Sequence, residues 1–188
     1  MKKAFFIDRD GVLIDEENYL GDPDRVKLIA GAPEALRAIR KNGYLCLVIS
    51  NQSGVARGYF DEDAVRSVHL RVDELLVKAG ATPVDAYYYC PHHPKGEVPE
   101  YTVDCDCRKP RPGLFMRAAK EFGVDLQNSF MIGDKTSDIK AAQNAGLKAS
   151  ALVKTGYGPD EIAKIHGSKN TFVADDINDA VRLLLNKL

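Results

Sequence analysis

Short continuous apolar runs alternate along the chain with longer stretches in which apolar positions recur every three or four residues. The runs KAFFI (3–7), YLCLVIS (44–50), VDAYYY (84–89), SFMIG (129–133), KASALV (148–153) and TFVA (171–174) predict strands. Between them, GAPEALRAIRKNG (31–43) predicts a helix with Pro33 near its start and Gly43 just past its end. DEDAVRSVHLRVDELLVKAG (61–80) opens with acids and carries Val65, Val68, Val72, Leu75, Leu76 and Ala79 at helical spacing. GLFMRAAKEFG (113–123), SDIKAAQNAG (137–146), a segment near 159–166 and one from about 177 to 186 complete the helices. This alternation predicts an α/β fold, a Rossmann-like parallel sheet with helices on both faces. No internal repeat, low-complexity tract or linker interrupts it, so residues 1–188 are expected to form a single domain.

Composition narrows the class of partner. The chain is 45% hydrophobic and 28% charged, ordinary for a folded soluble protein, and its net charge of −1 argues against a broad nucleic-acid surface. No apolar run approaches the ~20 residues of a membrane span. Met1-Lys2-Lys3 followed by AFFI mimics the start of a signal peptide, but Asp8 interrupts the apolar region too early. The expectation is a cytoplasmic monomer with no nucleic-acid or membrane partner, in a compartment where disulfides are disfavoured.

Candidate chemistry gathers where strands end. In open α/β sheets, ligands sit outside the carboxyl ends of the strands. Asp8-Arg9-Asp10-Gly11 follows the first strand, Ser50-Asn51-Gln52-Ser53-Gly54 the second, and Gly133-Asp134-Lys135 the SFMI strand. Two acids two residues apart repel each other, and each is costly to desolvate, so a cation or a proton-transfer task is needed to justify them. Lys109, in CRKPRPG, can reach the same edge from the loop before the next helix. Carboxylates suit a hard cation such as Mg²⁺. A hydroxyl, backbone N–H groups and a lysine suit phosphate oxygens.

The DxDG after a first strand, a serine ending a second, a later lysine, and GD followed by Asp138 resemble the four ordered motifs of haloacid dehalogenase-like phosphatases. The resemblance implies roles residue by residue. Asp8 is the nucleophile that forms an aspartyl phosphate, and Asp10 is the acid and then the base. Ser50, with Asn51, Gln52 and Ser53 beside it, binds substrate phosphate. Lys109 balances the nucleophile and the phosphoryl group. Asp8, the Asp10 carbonyl and Asp134 hold Mg²⁺, and Asp138 supports the metal through water or an indirect contact.

The cysteines form a second constellation. Cys90, His92, Cys105 and Cys107 match a Cys₃His zinc set, although C-x-H and C-x-C are tighter than finger spacings. Reduced thiols or a disulfide are the alternatives, and Cys105 and Cys107 are too close in sequence for an easy bridge. Four protein ligands leave no position for substrate, so a zinc here is structural: a staple for the loop at about 90–109 that fixes Lys109 and Arg108. Cys46 is expected in the core, and neither His69 nor His166 is given a function.

DRDGV, NQSG, CPHHP, CxC and RKPxPG together resemble the D-glycero-D-manno-heptose 1,7-bisphosphate phosphatase group, with the histidinol-phosphatase domain as close relative. His92 rather than His93 is the zinc ligand by that pattern. The resemblance implies removal of the 7-phosphate from a sugar bisphosphate in nucleotide-activated heptose synthesis. Too little chain separates Asp10 from Ser50 for a large cap domain. Specificity then rests on placed side chains: Arg57 and Arg108 for the retained phosphate, Glu17 and Asn18 for sugar hydroxyls. A histidinol-phosphate or other small phosphomonoesterase is the nearest alternative. A non-catalytic zinc-stabilised binding module is the alternative of a different class.

Overall fold

A computed structural model of the chain describes residues 1–165 and 167–186. Its centre is a six-stranded sheet. In chain order the strands are β1 (Lys3–Ile7), β2 (Tyr44–Asn51), β3 (Ala86–Cys90), β4 (Phe130–Gly133), β5 (Ala149–Val153) and β6 (Thr171–Ala174). Every pairing is parallel, and the order across the sheet is β3-β2-β1-β4-β5-β6. The helices are α1 (Ala32–Lys41), α2 (Glu62–Lys78), α3 (Gly113–Phe122), α4 (Thr136–Asn144), α5 (Gly158–Glu161) and α6 (Ile177–Leu185).

Strand β1 shows why its sequence is a continuous apolar run. Phe5 and Ile7 point to one face, among Leu36 and Ile39 of α1, Val68, Val72 and Leu76 of α2, and Val181 and Leu184 of α6. Ala4 and Phe6 point to the other, among Phe115 and Ala118 of α3 and Ala141 and Ala142 of α4. Both faces are covered, so the alternation of a half-exposed strand never appears. Cys46 lies in the first of these cores, as expected. His69 packs on the same side of the sheet, its ring stacked 4.2 Å from that of Tyr87.

The elements follow the sequence reading with shifts of one or two residues at most ends. The helix expected near 159–166 is instead the single turn α5 followed by a 3-10 turn, Ile162–Ile165. Gly158 passes so close to the Val153 carbonyl that a Cβ there would lie 1.8 Å from its oxygen, which ties the turn to the end of β5. His166 lies outside the described residues. Short 3-10 turns at Pro23–Arg25, Pro99–Tyr101 and Leu126–Asn128 were not signalled by any periodicity. Between β1 and α1 the chain forms a turn at 11–13, the first of these 3-10 turns and the isolated bridges Asp10 to Ile14 and Ile14 to Leu28, so among the described residues this segment builds no cap domain over the sheet edge.

The strand order reverses between β1 and β4, which places a crevice at their carboxyl ends.

Candidate active site

Asp8 leaves β1 with its N–H still bonded to the Ile132 carbonyl of β4 at 2.9 Å, so the sheet itself aims it. Its Oδ1 lies 3.0 Å from Lys109 Nζ, and the same ammonium lies 2.6 Å from Asp138 Oδ1 and donates to the Ile49 carbonyl at 2.7 Å. Lys109 comes from the long loop after β3, and Asn51 at the end of β2 fixes it. Asn51 Oδ1 accepts from the Lys109 N–H at 3.0 Å, and its Nδ2 donates to the Lys109 carbonyl at 3.1 Å. Lys109 is only 3% exposed. Burial by itself would lower its affinity for a proton, but Asp138 and Asp8 outweigh burial and raise it, so the side chain is a cation.

One lysine does not balance the carboxylates present. Oxygens of Asp8, Asp134 and Asp138 lie within 4.8 Å of one another, all three residues buried. Asp134 follows β4. Its Oδ2 accepts the Tyr157 N–H at 2.9 Å, while its buried Oδ1 has no partner. Burial and the neighbouring Asp8 push its carboxyl up to about 8, against the pull of Lys135. Burial also raises Asp138, with Lys109 opposing. Gly11 and Gly156 close over Asp134 at positive φ, and a Cβ on either would lie 2.3 or 2.4 Å from its Oδ2. A compact, oxygen-only, excess-negative pocket with an orphaned carboxylate oxygen fits a hard divalent cation such as Mg²⁺. Asp138, expected to support the metal through water or an indirect contact, stands beside Asp8 and Asp134 in this cluster, its Oδ1 2.6 Å from Lys109 Nζ and its Oδ2 accepting the Lys135 N–H at 3.0 Å.

Above this cluster is a cavity of about 300 Å³ lined by Asp8, Asp10, Ser50, Asn51, Gln52, Ser53, Arg108 and Lys109, together with Glu16, Asn18, Tyr19, Lys135, Ser137 and Tyr157. The Asp10 carboxylate, outside the cluster of three acids, pairs with Arg9 at 2.9 Å. Gln52 Nε2 bonds both Asp10 Oδ2 and Ser50 Oγ at 2.7 Å. Arg108 is on the cavity wall, its Nη1 held by the His92 carbonyl at 3.2 Å. Arg57 is not on the wall: its guanidinium lies over the Tyr19 ring, 5.7 Å from the centroid. Asn18 lines the cavity and accepts from Tyr157 Oη at 2.6 Å, whereas Glu17 pairs with Arg25 and stays outside it. Sequence reasoning missed Glu16, Lys135 and Tyr157. Lys135 Nζ bonds Glu16 Oε2 at 3.1 Å and sits over the Tyr157 ring at 4.2 Å. Only the adjacency of Lys135 to Asp134 hinted at this.

The second constellation also assembles. Cys107 Sγ lies 3.2 Å from both Cys90 and Cys105, and the Cys90 and Cys105 sulfurs are 3.5 Å apart. His92 Nδ1 lies 3.4 Å from Cys107 Sγ and 3.8 Å from Cys90 Sγ. These separations are too long for a disulfide. They approach the edges of a tetrahedron around zinc, about 3.8 Å between sulfurs when Zn–S is about 2.3 Å. His93 is turned aside, its Nδ1 accepting from the Lys95 N–H at 3.0 Å.

The same architecture occurs in known proteins. Residues 5–95 match the family model described as haloacid dehalogenase-like hydrolase, and residues 106–180 match the related HAD-hydrolase-like model. A Pasteurella multocida protein named D-glycero-beta-D-manno-heptose-1,7-bisphosphate 7-phosphatase is 42% identical, the match spanning 98% of this chain and 97% of that one. The chain belongs to the haloacid dehalogenase-like hydrolase family. A Vibrio cholerae protein of the same name is 39% identical to this hydrolase, over 98% of this chain and 97% of the other. Among solved structures, the D,D-heptose 1,7-bisphosphate phosphatase of B. bronchiseptica, complexed with magnesium and phosphate, superposes with a TM-score of 0.87. It is 32% identical to this hydrolase and is covered, like this chain, over 99% of its length. Among the described residues, no helix of the hydrolase is long and apolar enough to cross a membrane.

Proposed function

We propose that this hydrolase removes the 7-phosphate of D-glycero-β-D-manno-heptose 1,7-bisphosphate, leaving the phosphate on carbon 1. The carrying observation is that Asp8, Lys109 and Asp138 meet beneath one small polar cavity that also presents Asp10 and Ser50. The full-length likeness to relatives named for this reaction supports the substrate, and it supports the β-anomer that the motifs alone leave open.

Asp8, Asp134 and the Asp10 carbonyl hold Mg²⁺, with Asp138 beside them, and the bound ion screens the negative charge of the transferring group. Lys109 neutralises Asp8 enough for a phosphate dianion to approach, and orients the attacking oxygen. Asp8 attacks phosphorus and becomes an aspartyl phosphate. Asp10 gives its proton to the leaving sugar oxygen, then takes one from the water that hydrolyses the intermediate. Ser50 and backbone N–H groups of the turn that begins at Ser53 hold the phosphoryl oxygens. Arg108 meets the retained phosphate. Asn18 faces the sugar, while Arg57 acts only by bracing Tyr19.

Cys90, His92, Cys105 and Cys107 would hold a structural zinc, which would make the loop before α3 rigid and keep Arg108 and Lys109 in one frame. The chain works as a single domain and a monomer.

Asp8→Asn is expected to abolish turnover with the fold kept, because an amide cannot form the acyl phosphate. Turnover is compared on the heptose bisphosphate, histidinol phosphate and fructose 1,6-bisphosphate, with phosphorus NMR identifying the product. A folded Asp8→Asn protein with substantial activity would overturn the mechanism. Preference for histidinol phosphate, or a 7-phosphate product, would overturn the substrate or the regiochemistry.

A further inference from the structure

Arg9 stands between the two acids of the turn after β1 and is 0% exposed. A guanidinium removed from water is costly unless acceptors take up its donors, and here Nε and Nη2 find acceptors while the buried Nη1 does not. Nε reaches the two Asp10 oxygens at 3.1 and 3.2 Å. Nη2 reaches Asp10 Oδ1 at 2.9 Å, Gln52 Oε1 at 2.9 Å and the Leu20 carbonyl at 3.4 Å. Arginine offers donors only, so the end of the Gln52 amide that faces it must be the carbonyl. The amide nitrogen then faces the other way and donates to Asp10 Oδ2 and Ser50 Oγ. Because Ser50 Oγ accepts there, its own proton is free for another acceptor, and the cavity that Ser50 lines supplies the space for one.

We propose that Arg9 is a positioning residue that sets the direction of this buried hydrogen-bond chain. Through Gln52 it aims the Asp10 carboxyl at the leaving oxygen and the Ser50 hydroxyl at the phosphoryl group. The proposal rests on the phosphatase reading above. In the step it serves, the bond from Asp8 to phosphorus forms as the bond from phosphorus to the leaving oxygen breaks. The electron pair stays on that oxygen, and the Asp10 proton follows it.

The test compares an alkyl phosphate, the heptose bisphosphate, with p-nitrophenyl phosphate, whose phenolate leaves with little need of a proton. The ratio of their kcat/KM values is informative because kcat/KM covers only the steps through departure of the leaving group. Misdirection of Ser50 slows both substrates alike, but misalignment of Asp10 slows only the alkyl ester. Gln52→Met, which removes the donors without adding charge, and Arg9→Met should each lower the alkyl-to-aryl ratio by roughly 10-fold or more, a fraction of the 10²–10⁴ that a general acid supplies. Arg9→Lys, which keeps the charge but not the planar fork, should fall between them and wild type. If Arg9→Met does not fold, Gln52→Met and Arg9→Lys decide the matter. A ratio unchanged in folded, Mg²⁺-binding variants would refute the proposal. A wild type inactive on the heptose ester refutes the substrate reading instead, and the ratio is then taken with an alkyl phosphate that it does hydrolyse.

Discussion

Lys109 shows how far one buried charge can matter. It bridges Asp8 and Asp138 from a position almost without solvent, so its removal leaves two buried carboxylates uncompensated. Breaking such a pair costs about 3–5 kcal/mol. Lys109→Met should therefore be inactive and, in EDTA, less stable to urea by an amount of that order. Added Mg²⁺ should recover part of the stability and none of the activity. His69 is a different case. Burial, with Arg9 nearby, pushes its imidazole down to about 3 from an ordinary 6.5. The unfolded chain therefore takes up a proton before the folded one does, and stability present above pH 6.5 is lost as pH falls toward 3. In saturating Mg²⁺, His69→Phe should flatten that acid-side decline in urea unfolding. A decline as steep as wild type would assign it to other groups.

At the scale of elements, the loop from β3 to α3 has little regular structure to hold it. Its one 3-10 turn among the described residues is Pro99–Tyr101, and Tyr101 Oη reaches back to Glu62 of α2 at 3.0 Å. The proposed zinc on Cys90, His92, Cys105 and Cys107 would be its main crosslink. Elemental analysis should find about one zinc per chain, the expectation for one four-ligand site. A thiol-selective chelator should speed hydrogen exchange over 90–109 and lower turnover, with exchange in β1 and β4 unchanged. Zinc-free protein with equal protection in that loop and equal activity would remove the staple from the mechanism.

For the whole molecule, metal, proton and stability are linked. Metal-free, the folded protein keeps a proton on Asp134 up to about pH 8, while the unfolded chain releases it near 3.8. The folded state binds the extra proton in that interval, so the contribution of Asp134 to metal-free stability falls as pH rises through it. At the proposed site on Asp8 and Asp134, Mg²⁺ would displace the proton, so its apparent affinity should rise with pH up to about 8. At a hundred times its dissociation constant it should add about 2.7 kcal/mol to unfolding. Calorimetric titration at pH 6 and pH 8 checks the sign: tighter binding at pH 6 would contradict the buried carboxylate cluster as the metal site.

The strand and helix series was legible in the sequence because its periods are local. A run such as KAFFI is apolar on both faces wherever it sits in a parallel sheet, and Gly43 or Pro33 marks a helix end from within a few residues. The site acids were legible for a related reason. Asp8 and Asp134 follow strand ends, with Ser50 next to last in β2 beside them, and parallel pairing carries strand ends to one edge. Cys90, His92, Cys105 and Cys107 were legible because three thiols and an imidazole rarely gather without a task. What depended on tertiary structure was direction and charge balance. No spacing reveals that Asp10 turns toward Arg9, that Asn51 holds the Lys109 backbone, that Asp138 joins the carboxylate cluster, or that Arg57 stacks on Tyr19 away from the cavity. Glu16, Lys135 and Tyr157 come from separate loops that carry no shared pattern, and only the folded chain brings them to one wall. Side-chain orientation and the surplus of buried negative charge arise between elements distant in sequence, whereas hydrophobic period and strand-end chemistry are properties of each segment alone.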